Sequence, residues 1–173
     1  MRDVVRVLAR RRVPLGFVCG AGVLWLARPT FWSLAVGGAI AIGGEGVRVW
    51  AAGHLEKGRE VTRSGPYRFA RHPLYVGSAI IGTGVAVAAA SLAATAVITL
   101  YLGSTLAAAI RTEEAGMRAS FDDQYDAYLE SRAKPVDRPF SLNRAMKNKE
   151  YRAVGGLALV AAIFAAKAFF GSR

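Results

Sequence analysis

The chain has 173 residues, 53% of them hydrophobic, and a mean hydropathy of +0.28, which excludes an ordinary soluble domain of this size and points to a membrane protein. Its net charge of +11 would suit a nucleic-acid partner if the cations formed one surface stripe, but they fall between apolar runs, so nucleic acid is excluded. One cysteine, Cys19, inside the first apolar run, permits neither an intrachain disulfide nor a cysteine metal cluster and reads as an inert packing residue.

Arginines at positions 2, 6, 10, 11 and 12 precede the first apolar run, over 13–27, as in a cytoplasmic anchor. The run ends in Arg28 and Pro29 without a small-residue cleavage site, so it reads as a retained span, although 15 residues is short for one. A turn at 28–30 leads into a second run over 31–50, broken only by Glu45 and Arg48. These two stand three apart on one helical face, where they can neutralise each other; the other reading gives Arg48 to an anionic acceptor.

The segment 54–72 is polar and basic and carries the first nine residues of the stretch SGPYRFARHPLYVG, which runs from Ser64 to Gly77. Ser64, Gly65 and Pro66 signal a turn, and Pro73 suits a first helical position with His72 at the cap. The free N–H groups of Leu74, Tyr75 and Val76 are then expected to point outward beside Arg71 and attract an anion. Apolar runs over 73–90 and 92–110, parted at Ser91, make a second hairpin.

From Arg111 to Arg152 the chain is polar, with Ile110, Glu114, Met117, Phe121, Tyr125 and Tyr128 at three- and four-residue steps. That spacing predicts an amphipathic helix continuing from the fourth span along the membrane surface and ended by Pro135 and Pro139. Tyr125 and Tyr128 then read as interfacial anchors, His54 as interfacial, and the basic tail 132–152 as a face for anionic lipid. A fifth run covers 153–170. With the N-terminus cytoplasmic, 20 of the 23 lysines and arginines fall on that side, leaving Arg28, Lys167 and Arg173 outside. The expected fold is all-α, a polytopic membrane protein of about five transmembrane helices plus a cytoplasmic amphipathic helix. Gly20, Gly22, Gly37, Gly38, Gly43, Gly44, Gly82 and Gly84 are expected to pack helix on helix. Two histidines are too few for a metal site, so no metal is expected.

The order Arg71, His72, Pro73, Leu74, Tyr75, Val76, Gly77, preceded by Gly65, Pro66 and Tyr67 and followed by Glu113 and Glu114, resembles the isoprenylcysteine carboxyl methyltransferase and phospholipid methyltransferase family of integral membrane enzymes. The resemblance covers roughly 45–128. It implies a single domain over 1–173: an N-terminal hairpin to 50, a cofactor-binding core over 51–130, and a basic linker with a last membrane helix over 131–173. It implies S-adenosylmethionine as cofactor and a lipophilic methyl acceptor, a prenylated carboxylate or a membrane lipid. By motif position Tyr67, His72, Pro73, Leu74 and Tyr75 contact the cofactor, Arg71 and Gly77 shape the loop, and Glu60, Val61 and Thr62 line the same pocket. Glu113 meets the cofactor's charged end with Glu114 assisting. Arg111 or Arg48 positions an anionic acceptor, and a glutamate is the available base for an amine or thiol, so Arg111 and Glu114 are the catalytic candidates. Two rivals stand beside this. Sterol reductases using NADPH resemble it through a similar motif but commonly carry asparagine where this chain has Leu74, and a non-catalytic scaffold leaves the motif unexplained.

Overall fold

A computed structural model describes residues 2–130, 132–134 and 136–171; the side chains of 2–10, 12 and 13, and with them four of the five leading arginines, as well as Pro135 and Arg173, lie outside that description. The described residues form six α-helices and no strand: α1 (Arg2–Leu26), α2 (Phe31–Ala52), α3 (Pro73–Ala89), α4 (Leu92–Leu129), α5 (Leu142–Lys147) and α6 (Tyr151–Gly171), with one 3-10 turn at Gly65–Arg68. Three of them, α2, α4 and α6, are long and apolar enough to cross a membrane; the apolar stretches Pro14–Leu26 and Pro73–Ala89 are shorter. At about 1.5 Å per residue the 17 residues of α3 reach about 26 Å, slightly under the hydrocarbon thickness. The chain is an integral membrane protein.

Local chemistry sets the boundaries. Thr30 and Ser33 cap α2 reciprocally, each side chain accepting from the other's backbone N–H. Ala90 ends α3 in the left-handed region, and Ser91 caps α4 by accepting from the Ala94 N–H, so the hairpin turns within two residues. The polar segment after the fourth apolar run continues α4 as helix up to Asp122, where φ 32 and ψ −114 kink the chain and part the last turns, 123–129, from the rest. The short α5 follows the Ser141 cap, which accepts from the Arg144 N–H, and has too few residues to show a helical period in the sequence.

Helices α2 and α3 pack most closely, through a seam of small residues in lipid-facing sequence. A Cβ added at Gly37 would meet the Gly84 carbonyl, one at Gly84 the Gly37 carbonyl, and ones at Gly44 and Gly77 each other's backbone. Gly82 faces Leu102 of α4. Gly20, Gly22, Gly38 and Gly43, expected to pack, face open space: periodicity in an apolar run does not say which small residue meets a neighbour. Gly37→Ala should therefore destabilise the detergent-solubilised protein by about 1–3 kcal/mol through overpacking, whereas Gly38→Ala should leave its thermal midpoint unchanged. Equal midpoints for both variants would contradict this seam.

The bundle has two chemically distinct ends. At one, the Arg28 N–H donates to the Ala89 carbonyl, and the Lys167 ammonium caps the C-terminal carbonyls of α1, Leu24 at 2.6 Å and Ala27 at 2.7 Å. At the other lie the 53–72 segment, the end of α4 and the 132–150 linker. Here the basic tail departs from expectation. Arg138 forms a two-pronged pair with Glu60 (2.7 and 2.9 Å), Arg144 pairs with Glu56 at 2.8 Å and reaches the Gly53 carbonyl, and Asn148 donates to the Ala52 and Leu55 carbonyls. These side chains satisfy the open C-terminal carbonyls of α2 and strap the 53–60 loop down, because a carboxylate or carbonyl within reach holds a guanidinium better than solvent does.

Candidate functional site

The 3-10 turn and the cap of α3 set the first wall. Gly65, at φ +54, makes the turn that only a residue tolerant of the left-handed region can, and its missing Cβ leaves room for the His54 ring. His54, read from sequence as interfacial, is buried beneath this turn with its Nδ1 3.1 Å from the Ser64 hydroxyl. Burial first, then Arg144, Arg138 and Arg68, lowers its pKa below the ordinary 6.5. The native state thus resists taking up the proton that the unfolded chain accepts, so stability should be full above about pH 6.5 and fall as pH drops below it. Thermal midpoints at pH 7.5 and 5.5 should differ more in the wild type than in His54→Gln; an identical pH dependence would remove His54 as the cause.

Pro73 occupies the first turn of α3 with His72 at its cap position, as the residue order predicts. The expected row of free N–H groups is not there, since those of Tyr75 and Val76 both donate to the His72 carbonyl at 3.0 Å. What this helix start presents is the imidazole itself, flanked by two carboxylates from α4: Glu114 Oε1 lies 3.1 Å from Nε2, and Glu113 Oε2 lies 3.9 Å from Nδ1. The Tyr75 ring stacks on the imidazole at 5.7 Å. Two further contacts close the corner. Arg71 donates to the Leu129 carbonyl at the end of α4 (3.0 Å), and the Tyr128 hydroxyl donates to the Tyr67 carbonyl (2.8 Å).

These elements enclose a cavity of about 320 Å³ whose wall includes Glu60, Val61, Thr62, Tyr67, Arg71, His72 and Glu113, seven of the residues singled out from sequence. The others lie elsewhere. Pro73 is buried in the helix start, Leu74 turns its carbonyl to Ser78, Tyr75 backs the imidazole, Gly77 sits in the α2–α3 seam, and Glu114 supports His72 from behind. Arg111 is exposed and lines neither this cavity nor the apolar one described below.

The opposite wall of the cavity comes from residues that the motif does not include: Met117, Phe121, Tyr125 and Tyr128 of α4. They belong to the very stripe that the three- and four-residue spacing picks out, but the stripe faces the cavity, and the two tyrosines are not interfacial anchors. Tyr125 is 3% exposed and its hydroxyl has no hydrogen-bond partner, an open donor beside the cavity. Burial, then the Glu113 carboxylate, pushes the Tyr67 phenol above its ordinary value, so it stays a protonated donor. Aromatic faces, an unused buried hydroxyl and a wall carboxylate make a site suited to a flat polar heterocycle joined to a cationic group.

Arg48 stands within ion-pair distance of Glu45, as the spacing predicts, but has a closer partner elsewhere. Its Nε lies 2.6 Å from Glu150, which precedes α6, and 3.9 Å from Glu45, while its Nη1 reaches the Ser78 hydroxyl and the Leu74 carbonyl. Glu150 is therefore the closer partner, a pairing across about a hundred residues that local spacing cannot reveal. Glu45, Arg48 and Ser78 line a second cavity of about 420 Å³, otherwise largely apolar, among α1, α2, α3, α4 and α6. Cys19 lines it too. The first turn of α3 separates the two cavities, with His72 on one and Ser78 on the other.

Among the described residues no group of three or more histidine, cysteine, aspartate or glutamate side chains is placed to hold a metal ion. The cobalt-zinc-cadmium resistance protein CzcN of Cupriavidus metallidurans is 36% identical to this chain over 78 residues, which cover 44% of this chain and 36% of that protein's own length. No solved structure matches. The phospholipid methyltransferase family model matches residues 12–124, a segment that carries the Arg71 to Gly77 motif, the Glu113 and Glu114 pair and most of both cavity walls. By that match the chain belongs to the phospholipid methyltransferase family.

Proposed function

We propose that this protein is an S-adenosylmethionine-dependent methyltransferase of the membrane that methylates a lipophilic acceptor. The observation that carries the reading is the 320 Å³ cavity, where the motif residues Tyr67, Arg71 and His72 meet Glu113 across an aromatic wall. The family match supports the reaction class. The site fits the cofactor on chemical grounds. Glu113 would balance its positive charge, Phe121 and Tyr67 would offer faces to its base, and the open Tyr125 hydroxyl would donate to it.

Bound S-adenosylmethionine would supply a methyl group activated by its sulfonium. The protein's part is alignment and exclusion of water. His72 is held between Glu113 and Glu114, so Glu114 acts as a positioning residue, and Tyr75 fixes the ring plane. Arg71 and Tyr128 hold the end of α4 against the 3-10 turn and so keep the cavity closed on that side. The acceptor's hydrocarbon would lie in the apolar cavity beyond the first turn of α3. We assign no acceptor role to Arg111, which is exposed, and none as an anion clamp to Arg48, whose Nε and Nη1 are held by Glu150, Ser78 and the Leu74 carbonyl.

The same reading has five spans, α1 and α3 crossing as shorter members beside the three long helices, with the N-terminus and the cofactor cavity cytoplasmic. The charge distribution supports it, because the end of the bundle bearing Arg28 and Lys167 is poor in cations and the cavity end is rich in them. Calorimetric titration of the detergent-purified protein with S-adenosylhomocysteine and, separately, NADPH tests the function. Saturable binding of the first alone is expected; binding of NADPH alone would replace the reading with a reductase, and binding of neither would leave a scaffold.

A further inference from the structure

We infer that a third cavity, between the 53–60 loop and α5, binds the phosphate of an anionic membrane lipid. The site is distinct from the cofactor cavity and from the apolar one, and it does not depend on methyl transfer.

This cavity holds about 450 Å³, and its wall carries four cations, Lys57, Arg59, Arg144 and Lys147, against one carboxylate, Glu56. Arg144 already holds that carboxylate at 2.8 Å and reaches the Gly53 carbonyl, and Asn148 donates to the Ala52 and Leu55 carbonyls, so the floor is fixed and its donors are engaged. The rim is not. Arg59 stands 3.9 Å from Glu56 with most of its side chain in solvent, a pair of little strength. Lys57, Lys147 and the Asn143 amide form no ion pair or side-chain hydrogen bond among the described residues. The wall therefore keeps an excess of positive charge and free donors around a space wide enough for a phosphate, whose oxygens suit both. The proposed cofactor is cationic and carries no phosphate, so it is not the ligand this wall selects.

Position and the faces of α5 name the source of the phosphate. Leu55 lies three residues past the end of α2 and Asn148 three before the start of α6, so both walls stand where membrane-crossing helices leave the hydrocarbon, at the level of the head groups. Helix α5 presents three different sides. Ala145 is buried; Asn143 and Lys147, and Arg144 with the cap residue Asn148, stand four apart on the cavity wall; Leu142 and Met146, also four apart, are exposed. A soluble anion would leave those two apolar side chains without a partner. A lipid with its phosphate in the cavity lays its acyl chains beside them. An anionic head brings no cation of its own, whereas a choline head would set a quaternary ammonium beside the unpaired lysines.

Calorimetric titration of the full chain in detergent with short-chain phosphatidylglycerol, short-chain phosphatidylcholine and inorganic phosphate tests this. Phosphatidylglycerol should bind saturably and about tenfold more tightly than either of the other two. Arg59→Gln with Lys147→Gln removes two cations of this cavity that do not line the cofactor cavity, and should weaken phosphatidylglycerol about tenfold. Lys134→Gln with Arg152→Gln removes the same charge from the same end of the protein outside the cavity, and should leave that affinity unchanged. Leu142→Ser with Met146→Ser should bring the lipid down toward the affinity of inorganic phosphate. Inorganic phosphate binding as tightly as phosphatidylglycerol would give the cavity to a soluble anion. Equal affinity for the two lipids, or equal losses in the two charge variants, would reduce the effect to general surface charge. Either result, or no saturable binding of phosphatidylglycerol, would overturn the inference.

Discussion

Glu113→Gln is expected to weaken binding of S-adenosylmethionine about tenfold while changing that of S-adenosylhomocysteine much less. The two ligands differ in the charge on sulfur, and the Glu113 carboxylate is the anionic group on the wall beside His72. Its side chain is 46% exposed, so solvent screens part of the interaction and a larger loss is not expected. His72→Ala should behave otherwise. It removes a ring that Glu113, Glu114 and Tyr75 together hold in place, and so should weaken both ligands by a similar factor. Calorimetry of the two ligands against the wild type and both variants reads this directly. An equal loss for the two ligands in Glu113→Gln would show that the carboxylate does not sense the sulfonium, and unchanged affinity in both variants would remove the site assignment.

Arg48→Ala should be the most destabilising single change, at about 3 kcal/mol or more, because it strands two buried carboxylates at once. Removing one partner of a buried pair exposes the full desolvation cost of the other, whereas replacing the group as a whole does not. The double variant Arg48→Met with Glu150→Leu should therefore recover the share of the lost thermal midpoint that Glu150 accounts for, with Glu45 still unpaired. An acceptor-binding role for Arg48 predicts the opposite pattern: a folded single variant with its midpoint intact and a raised KM for the acceptor. Thermal unfolding of the single and double variants in detergent decides between them.

Much of this architecture is local chemistry and was legible in the residue order. The apolar runs over 31–50, 73–90 and 153–170 became α2, α3 and α6 with ends displaced by two residues or fewer, because apolar length, the Thr30 cap and Pro73 each act within one turn. The stripe from Ile110 to Tyr128 was visible as a face: every residue of it is at least partly buried, and the residues off it between Ile110 and Tyr125 are exposed. Which surface that face meets was not. A period of 3.6 gives a helix its apolar side but does not name the partner, and only the fold turns Phe121 and Tyr125 toward His72 instead of along a membrane surface.

The sequence by itself determined that this is a helical membrane chain with one polar motif between apolar hairpins, because hydrophobic length, turn residues and cation placement are each set by neighbours within a few positions. Only the tertiary structure decided where the charges are spent. Glu150 reaches Arg48, Arg138 reaches Glu60, Arg144 reaches Glu56, and Glu114 reaches His72 across 42 residues or more in each case. A charge pairs with whatever opposite charge the packing brings within about 4 Å, and helix spacing along the chain carries no record of that distance. Glu45 is the converse case: three residues from a ready partner in sequence, yet left without a hydrogen bond because the packing gave Arg48 a better one.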